Sequence, residues 1–202
     1  MRLHFAAASP FARKVMIVLH ETGQLGDVEI VPAQAAPIDA PNAPIAHNPL
    51  GKIPALERPD GPALFDSRVI TRYLDARADG GLYPPAPELW DVLTLEALGD
   101  GIMEAALLIV YEGRFRSPEA QLAPWMDGQW AKITRAVGML EAQWMGLLGG
   151  PFGAGQIAVA AALGYVDFRL GARDWRSGAP EVAEWYAGVC DRPSLQATVP
   201  VG

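Results

Sequence analysis

Asn48-Pro49-Leu50-Gly51-Lys52-Ile53-Pro54-Ala55-Leu56 is the stretch that decides how this chain folds. Two prolines and a glycine set a bend, and an apolar run then opens at the second proline. Proline fixes φ and removes an amide donor, so Ile53-Pro54 cannot begin an ordinary central strand. A cis bond resolves the conflict, because X-Pro pairs alone reach cis cheaply. Such a turn leaves the Ile53 amide and carbonyl facing outward. That is an edge on which an extended peptide pairs by strand addition.

Working outward toward the N-terminus, Leu3 to Ala8 reads as a short buried strand. Ser9 then caps a helix with Pro10 in its first position, the favoured order. Phe11, Val15, Val18, Leu19 and Thr22 fall at helical spacing, and Gly23 and Gly26 end the helix. Val28 to Val31 reads as a second strand. The segment 33–47 holds Pro37, Pro41 and Pro44 and reads as loop with at most one helical turn.

After the bend, Ile53 to Glu57 and Pro62 to Phe65 flank Asp60-Gly61, a hairpin signal. Asp66 caps the next helix, with Val69, Ile70, Tyr73 and Leu74 on its inner face. The order strand, helix, strand, loop, strand, strand, helix suggests a thioredoxin-like half over residues 1–78. Residues 79–87, rich in glycine and proline, form a linker.

Residues 88–202 turn wholly helical. Leu89 to Glu112 predicts one long helix or a kinked pair, with Gly99 and Gly101 marking a bend or a close contact. Ser117-Pro118-Glu119 opens the next helix, and Pro124 delays its regular part. Met126, Trp130, Ile133, Val137, Leu140, Trp144 and Leu147 repeat at alternating steps of four and three, a packing seam. Ile157 to Phe168 is apolar nearly all round and predicts the central helix. Asp167 is its exception and needs a partner if buried. Pro180 starts a last helix, with Val182, Trp185 and Val189 inward. The element order suggests a fold class of α/β plus all-α, a thioredoxin-like N-terminal domain followed by a helical bundle, and resemblance to a known family supplies most of the support for it.

Bulk composition narrows the functions. The chain has 202 residues, is 50% apolar and is only 19% charged, so it can build a sizeable core. A net charge of -7 argues against nucleic acid or an anionic membrane as partner. One cysteine, Cys190, excludes an internal disulfide and suits a reducing cytoplasm. Arg2 and Ala6-Ala7-Ala8 parody a signal peptide, but the apolar segment between them is too short. The longest uncharged apolar run, Ile157 to Val166, cannot span a bilayer.

The central stretch resembles the Asn-Pro-x-Gly-x-Val/Ile-Pro signature of the glutathione transferases. Ser9-Pro10-Phe11 with Arg13-Lys14-Val15 resembles their first-helix start, Asp66-Ser67 their acidic-Ser pair, and Arg192-Pro193-Ser194 their tail. The matches come in family order over nearly the whole chain. Residues 96–103 and 163–169 resemble those of a bacterial subgroup. The resemblance implies glutathione as co-substrate, a small electrophile as second substrate between the domains, a role in detoxification, and a homodimer. It assigns Ser9 as donor to the glutathione sulfur, with Lys52 and the backbone of Ile53 contacting the tripeptide and Asp66 and Ser67 holding its γ-glutamyl end. Two rivals share the scaffold: a non-catalytic binding or regulatory protein, and a glutathione-dependent isomerase or reductase. No cysteine replaces Ser9, which disfavours thiol-disulfide exchange.

The chemistry is sufficient in magnitude. A thiol of pKa about 8.5 needs a drop of roughly two units, or about 2.7 kcal/mol, to be mostly ionised near neutrality. A hydrogen bond to a charged group contributes about 1.5–3 kcal/mol, and a helix N-terminus about 0.3–1 kcal/mol. Ser9 alone also reads as a plain helix cap. Asp66 suits an ammonium, while Ser67 and the free amides beside it suit a carboxylate. Lys52 alone reads as a solvated turn lysine. Gln34 and His47 both offer a donor to the glycine carboxylate. Met103, Leu107 and Tyr111 share a helix face, as second-substrate lining or as core, and the resemblance offers Asp100 as a residue facing a partner subunit's glutathione, as in some relatives.

Other signals do not lead to sites. Gly153-Ala154-Gly155-Gln156-Ile157-Ala158 spells a dinucleotide fingerprint, but a helix seam precedes it where a strand is required. The same residues keep only half of a capping box, since Gly153 has no side chain. His4, His20 and His47 show no ligand spacing along the chain, so no metal site is expected. Cys190 reads as an inward, inert thiol.

Overall fold

The computed structural model describes all residues, Met1–Gly202. It divides into two compact units, Met1–Pro84 with Pro193–Gly202, and Pro85–Arg192.

The first unit is built on a four-stranded mixed sheet of order β2-β1-β3-β4. Strand β1 is Arg2–Phe5, β2 is Glu29–Pro32, β3 is Ala55–Arg58 and β4 is Gly61–Leu64. β1 pairs parallel with β2 and antiparallel with β3, and β3 pairs antiparallel with β4. Leu3 lies opposite Leu56 in register, and both are fully buried. Arg2, His4, Ala55 and Glu57 occupy the other face, because side chains alternate along a strand. Helices α1 (Pro10–Glu21) and α2 (Ser67–Ala78) pack on each other. This is the thioredoxin-like half expected from the element order.

Local differences have physical reasons. β1 stops at Phe5, because the amide of Ser9 turns back to the Ala6 carbonyl and converts Ala6 to Ala8 into the turn before α1. Val69 is 46% exposed, while Thr71 and Asp75 share the buried face of α2 with Ile70 and Leu74. Asp75 belongs there because its carboxylate accepts the amides of Leu82 at 2.8 Å and Tyr83 at 3.2 Å. Gln24 makes a similar tie, donating to the Leu74 carbonyl at 2.8 Å.

The chain's end packs with the first unit, although its sequence continues the helical half. Helix α8 (Pro193–Gln196) lies against α1. The buried guanidinium of Arg13 donates to the Leu195 carbonyl and the Thr198 hydroxyl, and Ser194 donates to Glu21.

The second unit is helical throughout. Helix α3 (Leu89–Phe115) runs unbroken for 27 residues and packs chiefly on α6 (Ala154–Leu170). Gly99 permits that approach: a Cβ there would lie 2.7 Å from the Ala158 carbonyl carbon. Gly155 does the same against Leu95. Every residue of α6 from Ala154 to Val166 is buried. Pro118–Ala120 forms a single tight turn, and the regular helix α4 starts only at Ala123 and runs to Met139. The seam buries Ile133, Val137 and Leu140, then widens into a π turn at Leu140–Trp144 before the short α5 (Met145–Leu148).

Helix α7 (Pro180–Val189) docks through Trp185, whose indole donates to the Leu148 carbonyl at 2.9 Å. Gln156 still reaches the Gly153 amide at 3.2 Å, so half of the cap on α6 survives. Asp167 finds its partners in Arg176, at 2.7 and 2.6 Å, and in the Trp175 indole at 2.8 Å.

Candidate functional site

The bend is held by its first residue. Asn48 is 2% exposed; its side chain accepts from the Leu50 amide at 3.0 Å and donates to the Lys52 carbonyl at 2.9 Å. Gly51 takes φ +63°, a left-handed conformation that glycine adopts without cost. The Ile53–Pro54 peptide is cis, and so are Phe65–Asp66 and Ala86–Pro87. Strand pairing begins only at Ala55, opposite His4. The amide and carbonyl of Ile53 take no hydrogen bond within the chain. Lys52 is exposed beside them.

Register brings the sequence-predicted residues to one end of the sheet. Ser9 follows the C-terminal end of β1, Ile53 precedes the N-terminal end of antiparallel β3, and Asp66-Ser67 follows the C-terminal end of β4. Those three strand ends lie side by side.

Each candidate also has a local duty. Ser9 caps α1, its Oγ accepting from the Ala12 amide at 3.3 Å. That bond uses a lone pair and leaves the hydroxyl proton to be donated elsewhere. Asp66 caps α2: Oδ1 accepts from the Arg68 amide at 2.9 Å, and Oδ2 accepts from the Arg68 guanidinium at 3.2 Å. The pair is exposed, so its strength is modest. Ser67 is the first residue of α2 and is 2% exposed. An ammonium docking at Asp66 would take the place Arg68 holds.

The remaining candidates sort by burial. Gln34 is exposed. His47 stacks on His4, ring centroids 4.7 Å apart, with its Nε2 3.6 Å from Glu57 Oε1. In the helical unit, Met103 is fully buried in the core, Leu107 and Tyr111 are half-buried, and Asp100 is 2% exposed. Burial pushes the Tyr111 hydroxyl above its ordinary range. Burial also raises Tyr165 to about 12, against the charges of Arg169 and Arg114. Cys190 is half-buried at the end of α7.

One cluster is absent from the sequence reading. His4 Nε2 lies 2.9 Å from Glu57 Oε1, and ligand atoms of His4, His47 and Glu57 all fall within 4.8 Å of one another. Partial burial pushes the Glu57 carboxyl up. The His4 hydrogen bond and the charges of His47 and Arg2 outweigh it and hold the group below the usual carboxylate range. Strand alternation places His4 beside Arg2, but only the pairing register says that Glu57 shares their face.

The architecture defines a two-unit protein with a thioredoxin-like α/β part and an all-helical part. Residues 8–77 match the model for the N-terminal domain of glutathione S-transferase, and residues 123–188 match the model for its C-terminal domain. The uncharacterized GST-like protein YibF of Escherichia coli (strain K12) is 32% identical over 99% of this chain and 98% of that protein. A glutathione transferase family member from Pseudomonas fluorescens Pf-5, solved with bound glutathione, is 46% identical, with a TM-score of 0.96 over 100% of this chain and 99% of that one. A glutathione S-transferase from Methylobacillus flagellatus KT, solved with glutathione bound, is 36% identical with a TM-score of 0.85 over 99% of each. This chain belongs to the glutathione S-transferase family. No helix in it is long and apolar enough to cross a membrane.

Proposed function

We propose that the protein is a glutathione transferase that activates the glutathione thiol for attack on a small electrophilic carbon. The observation that carries this reading is the Ile53 peptide, which pairs with no group of the chain and follows the Asn48 turn at the sheet end where Ser9 and Asp66-Ser67 also emerge. A cysteinyl backbone pairing with Ile53 satisfies both groups, which otherwise rely on water. The thiol proton leaves to water, and Ser9 donates a hydrogen bond from its hydroxyl to the resulting thiolate while its oxygen continues to cap α1. Asp66 accepts the γ-glutamyl ammonium in exchange for Arg68, and the first amides of α2 with Ser67 receive the carboxylate. Lys52, exposed beside Ile53, contributes its charge to the tripeptide.

Two structures of one relative support the ligand class. The Pseudomonas fluorescens protein was solved with glutathione and also, at 45% identity to this chain, with S-(propanoic acid)-glutathione, a thioether of the kind such a reaction yields. A homodimer working in the cytoplasm fits the same reading, and the lone Cys190 suits a reducing compartment.

Calorimetric titration with glutathione, followed by turnover on a panel of electrophiles, tests the proposal. Saturable binding that Asp66→Ala weakens, together with conjugation of at least one electrophile, supports it. Binding without turnover on any electrophile favours a binding or regulatory protein. Failure to bind glutathione removes the reading altogether.

A further inference from the structure

We infer that His4, His47 and Glu57 form a binding site for one divalent transition-metal ion, with an imidazole nitrogen from each histidine and a carboxylate oxygen from Glu57 as ligands. The inference does not rest on the glutathione reading.

The site is assembled by the fold. Register sets His4 opposite Ala55 and Arg2 opposite Glu57, so His4 and Glu57 are diagonal neighbours on one face. His47 comes from the loop before the bend, and its backbone is held there. The amides of His47 and Asn48 both donate to the Pro44 carbonyl, at 2.9 and 2.8 Å. The three side chains are sheltered, with exposures of 10% for His4, 33% for His47 and 25% for Glu57.

The distances suit a metal. Nitrogen and oxygen ligands lie about 2.0–2.2 Å from zinc in a tetrahedral site, which sets ligand atoms roughly 3.4 Å apart. Nε2 of His4 and of His47 lie 2.9 and 3.6 Å from Glu57 Oε1, on either side of that spacing. The two rings are stacked, with 27° between their planes, so the His47 ring turns and its nitrogen moves by up to about 1.4 Å to bring both lone pairs to one ion. Two imidazoles and one carboxylate are the donors favoured by zinc, cobalt and nickel, whereas calcium and magnesium require more oxygen. The ion takes the place of the proton shared by His4 and Glu57, and a fourth position stays open to water.

A competitor sits alongside. Arg2 Nη1 lies 3.1 Å from Glu57 Oε1, but its Nε also holds Glu29 at 3.2 Å. Arg2 is half-exposed, so its fork can stay with Glu29 while the ion takes the oxygen. Binding ties the 33–52 segment to β1 and β3.

The test uses the full chain, stripped with a chelator and kept free of thiols, and titrated with Co²⁺. Saturation at one equivalent, with the visible absorption of a four- or five-coordinate site, is expected. His47→Ala and Glu57→Gln should each weaken binding at least about tenfold, since even outer partners of metal sites contribute that much. Zn²⁺ should raise the Tm of the parent chain more than that of either variant at the same concentration. Circular dichroism checks that the variants fold, and the isosteric Glu57→Gln serves if His47→Ala does not. No saturation at one equivalent overturns the inference. So does unchanged affinity in a folded variant, which would move the ion to His20, Cys190 or surface carboxylates.

Discussion

Replacing Ser9 by alanine and by glycine separates two roles that one hydroxyl holds together. The capping bond to the Ala12 amide is 3.3 Å long, beyond the usual 2.9–3.0 Å, so its loss falls at the low end of the range for caps. Ser9→Ala should therefore destabilise the fold by about 0.5–1 kcal/mol, whereas glycine at an N-cap costs only a few tenths. The donor role is larger. A hydrogen bond to a thiolate contributes about 1.5–3 kcal/mol, which at about 1.4 kcal/mol per unit raises the bound thiol's pKa by roughly one to two units. For a parent thiol lowered by about two units from about 8.5, the thiolate fraction near pH 7, and conjugation with it, should fall roughly 3- to 25-fold in both variants. Ultraviolet absorbance of the thiolate, followed against pH with glutathione bound, reads the pKa directly. Glutathione affinity should stay within a few-fold, because Ile53, Asp66 and Ser67 are untouched. A Ser9→Gly chain with parental thiol pKa and turnover would show that the hydroxyl caps a helix and does nothing else.

Opposite signs are expected two residues apart in α3. Gly99→Ala should destabilise by about 1–2 kcal/mol in urea unfolding, because its Cβ meets backbone of Ala158 at 2.7 Å, while Gly101→Ala meets nothing within 4 Å and should stabilise by up to about 1 kcal/mol. Asp75→Ala leaves the Leu82 and Tyr83 amides without their acceptor and should cost about 1–3 kcal/mol, read by the same unfolding. Tyr165 has a folded pKa raised to about 12, so its neutral form is favoured by folding. That contribution is complete below pH 10, declines as pH rises toward 12 by about 1.4 kcal/mol per unit, and should vanish from the pH profile of a Tyr165→Phe chain.

Much of the molecule was legible because its signals are local. The cap at Ser9, the turn at Asn48 and Gly51, the hairpin around Asp60-Gly61 and the buried run of α6 depend on dihedral preference or periodicity within a few residues. The candidates at Ser9, Ile53, Asp66 and Ser67 lie next to such signals, but their proposed roles come from the resemblance and not from the local pattern. Val69 shows the limit. Apolar spacing put it inside, but the inner face of α2 also had to carry Asp75 to receive the returning chain.

The sequence by itself determined the order of elements, the α/β half before the helical half, and the residues able to end or cap each helix. Those are contests between neighbours, decided by backbone sterics and by which polar group is within reach. Tertiary structure alone decided that the tail packs on α1 through Arg13, that Gly99 admits a crossing helix, and that His4, His47 and Glu57 meet on one face. Such pairings depend on strand register and on packing between segments far apart in the chain, and no local preference encodes that separation.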